Sequence, residues 1–82
     1  GGLIRATARL QNGVIDSLAL SGDFTMLPAA ALADVERALV GQTPDREMIE
    51  KVLQMVYLTR QIRSPGVTPA DFAQAILAAM AG

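Results

Sequence analysis

From Leu3 to Gln11 apolar and polar side chains alternate, with Ile4, Ala6, Ala8 and Leu10 on one side and Arg5, Thr7, Arg9 and Gln11 on the other. A period of two describes a half-buried strand. Asn12-Gly13 follows, a pair that tolerates positive φ and signals a tight hairpin. A second strand is predicted from Val14 to about Ser21. Two registers compete. A two-residue turn pairs Leu10 with Ile15 but sends Leu18 and Leu20 to the arginine face. A bulge at Gly13 pairs Leu10 with Val14 and gathers Ile4, Ala6, Ala8, Leu10, Val14, Leu18 and Leu20 on one face. Only Asp16 is then misplaced. Since a one-residue slip turns every side chain over, burial favours the register bulged at Gly13.

Beyond the Ser21-Gly22-Asp23-Phe24 corner the period becomes helical. Pro28 to Val40 sets Leu32, Val35 and Leu39 on one stripe, with Pro28 suited to the first turn and Gly41 to the position past the end. Thr43-Pro44-Asp45 predicts a second helix, with Thr43 as cap, Ile49, Val52, Leu53 and Val56 as its apolar stripe, and Glu47–Lys51 as a supporting pair. It should end near Gln61, because Ser64 precedes Pro65. Thr68-Pro69-Ala70-Asp71 opens a third helix that buries Phe72, Ile76, Leu77 and Met80. The expected fold is α+β. A small antiparallel sheet, the hairpin with room for one more strand, is covered on one face by three helices.

The chain has 82 residues and reads as one domain over 1–82. Two Phe, one Tyr and no Trp leave an aliphatic core of Leu, Ile, Val, Met and Ala. With a net charge of −1 and scattered arginines, no basic stripe suits nucleic acid. No apolar run is long enough for a membrane helix, and a cytoplasmic location is expected. There is no Cys and no His. That removes thiol catalysis, disulfides, the commonest metal ligand and the commonest general base. Ser17, Ser21 and Ser64 therefore have no His to activate them. Asp45, Glu47 and Glu50 read as a solvated helix face. Asp16 belongs at the hairpin end, reaching water or Arg9. The four methionines sit at helical spacings and read as core. Arg60 and Arg63 read as a solvated helix end. Asp23 has two readings: a turn aspartate bonded to nearby backbone N–H groups, which is favoured, or a contact with a ligand or partner. Phe24 is expected to plug the core beneath that turn.

An ordered set of motifs resembles a known family. They are Gly1-Gly2-Leu3-Ile4-Arg5, Asn12-Gly13-Val14-Ile15, Ser21-Gly22-Asp23-Phe24, Val35-Glu36-Arg37-Ala38-Leu39-Val40-Gly41, Pro65-Gly66-Val67 and Asp71-Phe72. Together they resemble the C-terminal accessory domain of lipoate–protein ligases, including the form that occurs as a separate small subunit. The family's large domain binds lipoate and ATP, makes lipoyl-AMP and transfers lipoate to a lysine of an acyl-carrier domain. The resemblance implies that this chain binds no cofactor itself and assists that ligase, chiefly in adenylation. No catalytic residue is carried over.

The implied partner is the ligase catalytic domain or subunit, and through it the lipoyl acyl-carrier domain, with neither nucleic acid nor membrane. The contacts expected on this chain are Gly22, Asp23 and Phe24 at the corner and Arg5, Thr7 and Arg9 on the exposed strand face. Thr25 departs from the family, which usually has an apolar or aromatic residue there. Basic sequence commonly precedes the Gly-Gly in the family, so a preceding segment is expected to have been trimmed or to be missing. The family's fold is similar to that of iron–sulfur scaffold proteins, but their activity needs cysteine. A stand-alone interaction module, or a homodimer through an open sheet edge, is the alternative. A self-sufficient enzyme ranks last.

Overall fold

The computed structural model describes residues 3–81. Strands β1 (Ile4–Gln11) and β2 (Val14–Gly22) form an antiparallel hairpin. Asn12 and Gly13 have φ of 56° and 79°, the positive pair that a tight two-residue hairpin turn requires. Gln11 therefore pairs with Val14, and Leu10 with Ile15. The bulge expected at Gly13 lies instead at Asp16, where the register shifts so that Arg9 pairs with Ser17 and Ala8 with Leu18. Both demands are met in this way. The Asn-Gly turn keeps its preferred geometry, and one extra residue corrects the parity before Leu18 and Leu20 reach the core. Ile15 is fully buried, while Asp16 is exposed at the bulge.

Helix α1 (Ala31–Leu39) packs on β2, and α3 (Pro69–Ala81) packs on β1. Helix α2 (Arg46–Arg60) lies against both of these helices and makes no close backbone approach to either strand. The helices thus cover one face of the sheet, with α2 seated on the other two. Val35 and Leu39 of α1, Ile49 and Leu53 of α2, and Phe72 and Ile76 of α3 are fully buried with Ile15. Each helix sends its apolar stripe to the same core.

The helix ends differ from expectation in two places. Pro28 does not enter the first helical turn. It follows a cis peptide bond and starts a turn in which the Ala31 N–H donates to its carbonyl, so α1 begins three residues later. Asp45, not Thr43, caps α2, accepting the Met48 N–H at 3.2 Å. An ionised carboxylate is the stronger partner for the positive helix end. The ion pair on α2 is Arg46–Glu50 at 3.2 Å instead of Glu47–Lys51. Helix α2 stops at Gln61, where the sequence predicts its end, and Gln61 is left-handed (φ 53°). Thr68 and Asp71 cap α3 reciprocally: the Asp71 N–H donates to Thr68 Oγ1 at 3.2 Å, and the Thr68 N–H to Asp71 Oδ2 at 2.9 Å.

Among the described residues no third strand joins the sheet. The nearest to one is a bridge between Leu27 and Arg63, which exchange two backbone hydrogen bonds of 2.8 Å. It ties the segment after β2 to the end of α2. Of the methionines, Met26 is buried and Met48 and Met80 half-buried, but Met55 is exposed on α2 beside Leu58. No described helix is long and apolar enough to cross a membrane.

Candidate functional site

The corner after β2 is built by Gly22. Its φ of 149° is one that side-chain-bearing residues rarely adopt, and a Cβ here would collide with the Leu3 carbonyl oxygen. That close approach lets the Asp23 N–H donate to the Leu3 carbonyl at 2.9 Å, closing the open end of the hairpin. Phe24 then turns inward. Its ring meets that of Phe72 edge-to-face, with centroids 5.1 Å apart and planes at 88°, and it is half-buried. This geometry suits aromatic quadrupoles and anchors the corner to α3. Phe24 is thus a plug at the core margin.

Asp23 is exposed between these anchors, and its carboxylate takes no hydrogen bond from a described residue. The turn-capping role favoured from sequence does not occur among the described residues. Arg5 lies opposite Ser21, and a shallow depression is lined by Leu3, Arg5, Ser21, Gly22 and Asp23. Arg9 lies opposite Ser17, four residues along β1 and roughly 13 Å from Arg5. The structure therefore gathers Arg5, Gly22, Asp23 and Phe24 at one end of the hairpin and sets Arg9 toward the other. Arg5 and Arg9 share the exposed outer face with Thr7, and neither forms an ion pair with a described residue. Beside the corner, Leu20, Phe24, Met26, Leu27 and Leu32 line an open apolar groove, with Leu27 half exposed.

Glu36 enters the sequence reading only within the Val35–Gly41 motif, with no role of its own. Its Oε2 accepts the Leu20 N–H at 2.7 Å, so a carboxylate from α1 caps the outer edge of β2. The Ile15 N–H donates to the Gln42 carbonyl at 2.9 Å, and the Ile15 carbonyl accepts from the Gly41 N–H at 2.7 Å, covering the same edge nearer the turn. Glu36 sits one residue off the apolar stripe of α1, so no periodicity marks it.

Tyr57 of α2 is half-buried. Burial of its ring pushes the phenol above its usual value of 10.0; the Asp71 charge adds to this and the hydrogen bond with Ser64 opposes it. The Ser64 hydroxyl donates to the Val67 carbonyl at 2.7 Å, so Tyr57 donates to Ser64, also at 2.7 Å. This relay holds the loop from α2 to α3 and lies away from the corner. Arg60 reaches Asp34 at 3.7 Å, joining α2 to α1, and is not left solely to solvent as expected. Among the described residues no group of three acidic, His or Cys side chains converges as a metal site. The corner and outer face offer charge, backbone groups and an apolar groove, which are means of docking.

Residues 1–76 match the family described as bacterial lipoate protein ligase C-terminus. The chain is 35% identical over 77 residues to lipoate-protein ligase A subunit 2 of Thermoplasma acidophilum, covering 92% of this chain and 77% of that one. Its fold matches a chain of the solved bi-partite lipoate protein ligase of Thermoplasma acidophilum, studied with its E2 lipoyl domain as an archaeal lipoylation system. The TM-score is 0.79 at 36% identity, covering 90% of this chain and 81% of the other.

Proposed function

This chain belongs to the bacterial lipoate protein ligase C-terminus family, and from that premise we propose that it is the accessory part of a lipoate–protein ligase, assisting a separate catalytic domain or subunit. The observation that carries the reading is its likeness, in sequence and in fold, to one subunit of a bi-partite ligase over nine-tenths of the chain. The absence of Cys and His in the sequence agrees with it.

In this reading ATP and lipoate bind to the catalytic partner and none of the chemistry falls to this chain. Docking orders the partner's substrate loops for lipoyl-AMP formation, and the transfer of lipoate to an acyl-carrier lysine follows. The contacts are the Gly22–Phe24 corner and the Arg5, Thr7 and Arg9 face. Gly22 and Phe24 hold the corner rigid, so that Asp23 is presented on a fixed backbone. The Leu20–Leu32 groove beside it supplies the apolar part of the interface. As part of an ATP-consuming ligase the chain would work in the cytoplasm. The test is to mix the purified chain with a ligase catalytic subunit from the same genome. Co-elution on gel filtration and faster lipoylation of a lipoyl domain are expected. No complex and no stimulation would refute the reading.

A further inference from the structure

The two edges of the sheet are not alike. In an antiparallel ladder opposite residues alternate between exchanging both backbone hydrogen bonds and exchanging none. Leu20, opposite Ala6, gives its N–H to Glu36, so this pair exchanges none. The same parity applies to Ile4 and Ala8. Leu10 follows suit, because the N–H and carbonyl of its partner Ile15 are both bonded to the loop after α1. Ile4, Ala6, Ala8 and Leu10 therefore direct their N–H and carbonyl groups to the outer edge of β1, where no described residue meets them. The β2 edge is capped at Ile15 and at the Leu20 N–H; the β1 edge has no cap among the described residues. At the Ile4 end of that edge an open groove between β1 and α3 is lined by Leu3, Ile4, Asp71, Gln74, Ala75 and Ala78. Small side chains on α3 leave room there for the inward residues of another strand.

We infer that the β1 edge accepts an extended segment of the catalytic subunit as a third strand, with carboxylates on its outer face and small apolar residues on its inner face. The inference rests on the accessory reading above and specifies its mode. Main-chain bonds would supply affinity and alternate side chains specificity. The acidic character follows from Arg5 and Arg9. Both lie on the outer face of β1, four residues apart, without an acid partner among the described residues. Carboxylates at matching spacing would sit directly opposite them. The same charges disfavour a second copy. In the antiparallel pairing of two β1 strands centred on Thr7, which sets Ile4 opposite Leu10, Arg5 of each copy faces Arg9 of the other, and like charges so placed destabilise.

The test is backbone amide exchange by NMR on the labelled chain, alone and with the catalytic subunit. Exchange should slow by roughly tenfold or more at Ile4, Ala6, Ala8 and Leu10, while Arg5, Thr7 and Arg9, already in the hairpin ladder, change little. Ala8→Pro removes one outward N–H without touching that ladder, and the double variant Arg5→Glu, Arg9→Glu reverses the charge. Each should weaken binding by roughly tenfold or more, with circular dichroism reporting an intact fold. Binding with unchanged exchange at the four residues would overturn the strand inference and leave the accessory reading standing. No binding at all would overturn both. Slowed exchange at the same residues in the isolated chain at high concentration would assign the edge to a second copy instead.

Discussion

Gly22→Ala tests whether the corner is held as described. The substitution does two things at once. It places an L side chain at φ 149°, which costs about 1–3 kcal/mol. It also drives a Cβ onto the Leu3 carbonyl oxygen, so the strand ends must part and the Asp23–Leu3 hydrogen bond, worth about 1 kcal/mol, is lost or weakened. Together these give about 2–4 kcal/mol. A domain of this size has a total stability of roughly 4–12 kcal/mol. Its melting temperature should fall by roughly 8–30 °C, at 4–8 °C per kcal/mol. Gly13→Ala and Gly41→Ala are the controls. Both positions have positive φ, 79° and 91°, but a Cβ there meets nothing within 4 Å. They carry the conformational cost alone, about 1–2 kcal/mol. Thermal and urea unfolding of the three variants, followed by circular dichroism, should rank Gly22→Ala as the most destabilised, with accelerated amide exchange at Asp23. A Gly22→Ala variant no less stable than Gly41→Ala would refute the close approach and, with it, the rigid corner.

Glu36→Ala leaves the Leu20 N–H without its acceptor and should cost about 1–3 kcal/mol in urea unfolding, with Glu36→Gln losing roughly half as much. Phe24→Leu gives up the edge-to-face contact with Phe72 and should cost about 0.5–1.5 kcal/mol, with faster exchange at the corner. Tyr57 binds its proton more tightly folded than unfolded, so stability is unaffected by this group below pH 10 and falls as pH rises through and above it. Tyr57→Phe should lose about 0.5–1.5 kcal/mol at neutral pH and show a flatter alkaline decline in melting temperature.

Much of this fold was legible because its signals were redundant. Alternation, an Asn-Gly turn and a return strand identified the hairpin. Apolar stripes in Val35–Leu39, Ile49–Leu53 and Phe72–Ile76 identified three helices covering one face. Register is hidden because both candidate pairings take a regular ladder beyond the turn, whereas the ladder shifts between Arg9 and Leu10. The bulge at Asp16 satisfies turn and core together, and one acidic residue on an apolar face was its only trace. The cap of α2 was misplaced because Thr43 and Asp45 both suit the role, and only backbone geometry decides between them. Methionine spacing could not separate the buried Met26 from the exposed Met55, since a flexible apolar side chain is tolerated on either side.

At the site, Arg5, Gly22, Asp23 and Phe24 were named from sequence and do converge at one end of the hairpin, with Arg9 apart from them. Glu36 stands in a family motif, but its role is hidden because it depends on α1 crossing the edge of β2, a tertiary fact with no local pattern. The asymmetry between capped and bare edges was hidden for the same reason.

The central claim is that this chain acts on the adenylation half of a ligase reaction through a partner and performs none of the chemistry itself. The most direct measurement separates the two half-reactions with a cognate catalytic subunit. One assay follows lipoyl-AMP formation from lipoate and ATP; the other follows transfer to a lipoyl domain from supplied lipoyl-AMP. The account predicts that adding this chain accelerates the first, leaves the second nearly unchanged, and gives no lipoyl-AMP when the catalytic subunit is omitted. Adenylation that is indifferent to the chain, or lipoyl-AMP made by the chain alone, would contradict it.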